Sequence, residues 1–175
     1  MKTIDKYLFQ ALDNYPYSLE ETIESLDYAF SYDAKNTMVL CLYGRIQAEQ
    51  LMNYEEAKLY FQEALAINIH ALEVYPYYLQ TLILNEDYDE ALKLIDFALT
   101  IKGINKSDIY VKKAILFEAR QEFKKALEEI KNAKLYSLQF TYECNISEVE
   151  KRIEGKISLL KKKKKTKKGP KKKLK

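Results

Sequence analysis

Apolar residues return along most of this chain at intervals of three and four, the period of one helical face. In the middle of the chain the pattern also repeats at long range. Tyr54, Ala57, Phe61 and Ala64 are matched by Tyr88, Ala91, Ile95 and Ala98, and again by Phe123, Ala126, Ile130 and Ala133. The leading alanines stand 34 and then 35 residues apart. A weaker copy, Leu19, Thr22, Leu26 and Ala29, precedes them, with Thr22 35 residues before Ala57. Within each copy the small residues permit close helix approach and the large one fills the space between helices.

Polar positions mark where these helices begin. Ser18, Asn53 and Asp87 are each followed three residues later by glutamate (Glu21, Glu56, Glu90), the pattern of a capping box. Gln121-Glu122 offers no comparable cap, which costs that helix start about 1 kcal/mol. Each helix follows another apolar periodic stretch: Ile4 to Leu12, Met38 to Leu51, Glu73 to Leu84 and Asp108 to Ala119. Thr3, Thr37 and Ser107 stand as caps for three of these. Pro76 places the start of its helix no earlier than about three residues before it. Pro16 falls in a turn. Short connections make consecutive helices antiparallel neighbours. Four helix pairs follow, over about 3–36, 37–71, 72–105 and 106–140. Ile146, Val149, Ile153 and Ile157, with Ser147 and Glu150 as a capping box, predict a last helix over 145–160 that covers the open end of the stack. Gly155 weakens it by roughly 0.5–1 kcal/mol.

This arrangement resembles the tetratricopeptide repeat family. The second-helix signature is the aromatic, small, bulky and small set above. The first-helix signature is matched by Tyr110, Ala114 and Phe117, by Tyr75, Tyr78 and Leu82 with Leu79 at the customary small position, and by Leu40, Tyr43 and Gly44 if the following loop is one residue longer than usual. The resemblance covers about 3–140 and implies an all-α, right-handed α-α superhelix of about four helix-turn-helix repeats with a C-terminal capping helix, forming one domain over 3–160. It also implies a function: the first helix of each pair lines a concave face that receives a peptide or a partner helix. By position that face takes Tyr7, Ala11 and Asn14, then Cys41, Arg45 and Glu49, then Glu73, Tyr77 and Gln80, and last Lys112, Ile115 and Ala119. The lysine and asparagine constellation with which one subgroup grips acidic chaperone tails is missing. A groove of mixed character with tyrosines suits a hydrophobic or amphipathic segment.

Charge changes the picture at one end. The net charge is +3, yet residues 156–175 hold 12 lysines and no acid, which leaves 17 basic against 26 acidic residues in the remainder, a net of −9. The run from Lys161, with Lys162, Lys163, Lys164, Lys165, Lys167 and Lys168, has almost nothing to bury and is expected to be disordered over 161–175. Three uses stay open for it, in this order: a solvated tail, contact with RNA, the ribosome or another polyanion, and contact with an anionic membrane. No aromatic residue is interleaved in it, so base stacking has no support.

Candidate chemistry adds little. The two cysteines, Cys41 and Cys144, fit no metal spacing. His70 is the sole histidine, no glycine-rich phosphate loop occurs, and the paired glutamates are explained as helix-start acids. Residues 1–18 lack an apolar core and contain Asp5 and Asp13, unlike a signal peptide, and no apolar run reaches the length of a membrane span. The Asn145–Ser147 sequon is read as accidental. The expectation is a non-enzymatic, cytoplasmic adaptor with no cofactor or metal, binding a protein or peptide, with weak non-specific nucleic-acid contact through the tail as the alternative.

Overall fold

The computed structural model describes residues 6–137 and 140–167, with side chains over 6–137 and 146–161. The described residues contain helices and turns and no strand. The helices are α1 (Lys6–Asn14), α2 (Leu19–Tyr32), α3 (Thr37–Arg45), α4 (Tyr54–Ile67), α5 (Val74–Leu84), α6 (Tyr88–Ala98), α7 (Lys106–Ala119), α8 (Phe123–Tyr136) and α9 (Phe140–Lys167). They group into two compact units, Met1–Ile104 and Asn105–Lys175. That division falls at the expected junction before the last helix pair, inside the stretch read from the sequence as one domain.

In the first unit α1 packs on α2, α3 on α4 and α5 on α6, while α3 also packs on α5. Connections of three or four residues within the pairs make the partners antiparallel. The small and bulky residues of the stripe meet at the core. Thr22, Leu26, Ala57, Phe61, Ala64, Ala91, Ile95 and Ala98 are all fully buried. A cluster of Leu8, Ala11 and Tyr15 with Leu26, Ala29, Val39, Leu42 and Ile46 joins α1, α2 and α3. Gly44 is the closest approach: a Cβ there would stand 2.7 Å from the Phe61 ring, so α3 lies directly against that side chain.

The surplus residue after Gly44 is not in the loop. The connections 51–53, 85–87 and 120–122 have equal length. The extra residue widens α3 instead, as a π-helical turn over Ile46–Gln50 in which the Leu51 N–H donates to the Ile46 carbonyl (3.2 Å). Keeping the turn constant preserves its hydrogen bonds, whereas a longer turn would leave polar backbone exposed beside the core. The three turns each place their middle residue in the left-handed region. Met52, Glu86 and Gln121 have φ of 53°, 63° and 60°. The next N–H donates back to the preceding helix in each: Asn53 to Gln47, Asp87 to Leu82 and Glu122 to Phe117.

Several caps differ from expectation. Asn53 caps α4 as read, accepting from the Glu56 N–H (3.4 Å). Ser18 makes no side-chain cap bond. Asp87 makes none because its carboxylate takes Lys58 Nζ (2.7 Å) and Asn85 Nδ2 (2.7 Å). Glu90 is likewise engaged, by the Tyr78 hydroxyl at 2.7 Å. Asn36, not Thr37, caps α3, and Asn105, not Ser107, caps α7. Ser107 is buried as the second residue of α7 and donates to the Ala133 carbonyl (2.8 Å). Glu122 makes no cap bond, as expected. Thr3 lies outside the described residues.

The second unit is α7, α8 and α9 packed on one another. Ala126, Ile130 and Ala133 of α8 and Ile146, Val149 and Ile153 of α9 are buried. Helix α9 begins before Ser147, so Ser147 and Glu150 form no capping box, and Glu150 pairs with Lys134 Nζ (2.6 Å). The helix also continues through Lys167, into the run read from the sequence as a tail. Lysine is a good helix former, cations suit a helix C-terminus, and extending an existing helix is cheap. Residues 168–175, including Lys168, lie outside the described residues. A Cβ at Gly155 would meet nothing within 4 Å, so Gly155→Ala is expected to raise stability by about 0.5–1 kcal/mol, read as a higher urea midpoint.

Candidate functional site

Arg45 ends the regular part of α3, where the π turn begins. Its guanidinium carbon lies 4.6 Å from the centre of the Tyr15 ring and 4.2 Å from that of Tyr77, so the group is held between two aromatic faces. Glu49, one turn on, accepts from Arg45 Nε (3.2 Å) and Nη2 (3.4 Å). The Tyr15 hydroxyl donates to the same Glu49 oxygen that takes Nη2, Oε2 (2.5 Å). Residues from the end of α1, from α3 and its π turn, and from α5 thereby form one fixed cluster. Burial works against the guanidinium charge, but Glu49 and the neighbouring tyrosines hold its pKa above the ordinary value. Burial and then the Glu49 bond push the Tyr15 phenol up to about 12, so it stays a neutral donor.

The expected residues are only partly gathered. Arg45, Glu49 and Tyr77 meet, and Gln80 follows one turn after Tyr77, half-buried. Tyr7 and Asn14 do not join them. They line a separate shallow pocket between α1 and α2 with Asp13, Glu21, Glu24 and Tyr28, and the Tyr7 and Tyr28 rings lie 5.1 Å apart. Ala11, between them on the same face, is buried and leaves nothing to offer a partner. Cys41 is also buried, and burial pushes its thiol up to about 12, so it is neither surface nor nucleophile. Glu73 opens α5 and accepts from the Thr37 hydroxyl (3.4 Å). Lys112 and Ile115 are half-buried on α7 and Ala119 is exposed at its end, all in the second unit.

Tyr15 was the residue the sequence hid. It precedes Pro16 in a turn, carries no motif, and gains its role only from contacts with residues 30 and more positions away. Its peptide bond to Pro16 is cis.

Elsewhere His70 is exposed in the turn after α4. Among the described residues no group of three His, Cys, Asp or Glu is placed to hold a metal ion, and no helix is long and apolar enough to cross a membrane. Lys161 is exposed on α9, and Lys162, Lys163, Lys164, Lys165 and Lys167 occupy its last helical positions. Comparison with protein-family models and with curated proteins gave no match.

Proposed function

We propose that this chain is a non-enzymatic, cytoplasmic protein-binding scaffold of the tetratricopeptide type, a right-handed superhelix of four helix pairs with α9 as its cap. Its first helices receive a peptide or partner helix on the face that carries Arg45. The observation that supports this reading is the Tyr15–Arg45–Tyr77 sandwich with Glu49. A long, flexible cation is locked in place before any partner arrives, so its ordering entropy is already spent. The cluster stays accessible, with the Arg45 and Glu49 side chains 21% and 40% exposed. The partly exposed Tyr77 ring beside the Glu49 carboxylate suits an amphipathic segment whose apolar side packs on that ring, while the buried Tyr15 holds Arg45 from behind.

The combined Arg45→Ala and Tyr77→Ala change is expected to reduce recovery of partner proteins in a pull-down by tenfold or more, about 1.4 kcal/mol or greater. Far-UV circular dichroism is expected to stay that of the parent. Undiminished recovery with intact helicity removes this surface from consideration.

A second reading rests on the lysines of α9. A cationic helix end attracts phosphate polyanions such as RNA, with affinity that falls steeply as salt rises. Truncation after Leu160 tests it: RNA retention that survives the truncation rules the tail out.

A further inference from the structure

Between the start of α8 and the far half of α9 lies a shallow groove that the scaffold reading does not use. Its floor is apolar, made by Phe123, Ile157 and Leu160. Ile157 is half-buried and Leu160 is 42% exposed, so this floor remains open to solvent in the chain by itself. Lys124, Lys125 and Lys161 stand around it. Lys125 is paired with Glu122 at 2.5 Å, which leaves the surroundings positive on balance.

The order of these groups along α9 carries the argument. Positions 157 and 160 are followed on the same helical face by Lys161, and Lys124 of α8 stands at the same groove. The groove thus joins an apolar floor to a cationic edge within about one turn of α9. A phosphate polyanion would use the lysines and gain nothing from the floor. A bilayer presents a plane, which suits a groove poorly. A helix with large apolar side chains at one end and carboxylates at the other matches both halves at once.

We infer that the α8–α9 groove is a docking site for an acidic amphipathic helix of a partner protein, oriented by the apolar floor of Phe123, Ile157 and Leu160 and by Lys124 and Lys161 at its edge. This surface lies wholly in the second unit and stands or falls apart from the Arg45 cluster.

The test uses the full chain and two fluorescent synthetic helices of identical composition, about five turns long. One carries leucines at i, i+3, i+4 and i+7 in one half and glutamates in the other. The second has the same residues shuffled so that no face forms. The patterned helix is expected to bind at least about tenfold more tightly than the shuffled one by fluorescence anisotropy at physiological salt. Leu160→Asp, at an exposed position, is expected to weaken it about tenfold while leaving helicity unchanged, and Lys124→Glu with Lys161→Glu to weaken it similarly. Equal binding of the two helices overturns the inference in favour of simple polyanion attraction, as does binding that survives Leu160→Asp. Binding to single-stranded RNA, or to phosphatidylserine vesicles, at concentrations where the patterned helix does not bind also overturns it.

Discussion

Phe61→Ala is expected to destabilise the first unit by about 3–5 kcal/mol, a large share of the 5–15 kcal/mol that holds a typical domain together. The side chain is fully buried and its ring stacks on Tyr78 with centroids 5.6 Å apart. Gly44 determines the size of the effect. The ring fills the space a Cβ would need there, and glycine brings no side chain that could swing into the vacancy. The loss also loosens Tyr78, whose hydroxyl donates to Glu90 and accepts from Gln62 (3.0 Å). The measurement is amide hydrogen exchange under increasing urea, followed separately for α3 to α6 and for α7 to α9. Protection is expected to fall in the first set alone. Equal loss in both sets, or no loss, contradicts this account of the core.

The second large effect lies at Glu118. Its side chain is 4% exposed, and it meets Arg152 Nη2 (2.7 Å) and Lys156 Nζ (2.7 Å), both about half exposed. Burial by itself would raise the Glu118 carboxyl, but the hydrogen bonds from Arg152 and Lys156 outweigh it and hold the pKa below the ordinary value. The pair is asymmetric. Removing the carboxylate leaves two cations that water can reach. Removing both cations strands a buried charge, so Arg152→Ala with Lys156→Ala is expected to cost about 3–5 kcal/mol and to undock α9, while Glu118→Gln costs less.

The pH dependence has opposite signs in the two cases. In the parent, a carboxyl with a lowered folded pKa stabilises the fold above its unfolded pKa, and that contribution is lost as pH falls through the lower folded value. In the doubly substituted chain burial alone acts, the folded pKa is raised, and acidification restores stability. Protection of 146–157 measured against pH reads both. The same slope in parent and variant would show that Glu118 does not anchor α9.

What the sequence revealed and what it hid follow from the range of the interactions. Stripes such as Ala57, Phe61 and Ala64 are written at spacings of three and four, so local periodicity found the helices and their buried faces. The Asn53 cap was legible for the same reason. Asp87 and Glu90 looked equally good, yet Lys58 from α4 and Tyr78 from α5 claimed them. Competition from another helix leaves no local trace. The same limit explains the site. Arg45 and Glu49 are one turn apart and so share a face that periodicity can show, and Tyr77 holds the matching place in the next pair. Tyr15 reaches Glu49 across 34 residues, and no short pattern announces it. Composition is silent on the helix that runs into the lysines, because a segment that cannot bury itself can still extend a helix held by Ile146, Val149 and Ile153.

The π turn in α3 has a consequence for how such a chain can change length. Its extra residue sits within the rod, and the bends at Met52, Glu86 and Gln121 keep one length and one positive-φ residue each. The chain therefore reverses over the same three-residue span each time, and the odd residue alters only the winding of the rod ahead of the first of these reversals.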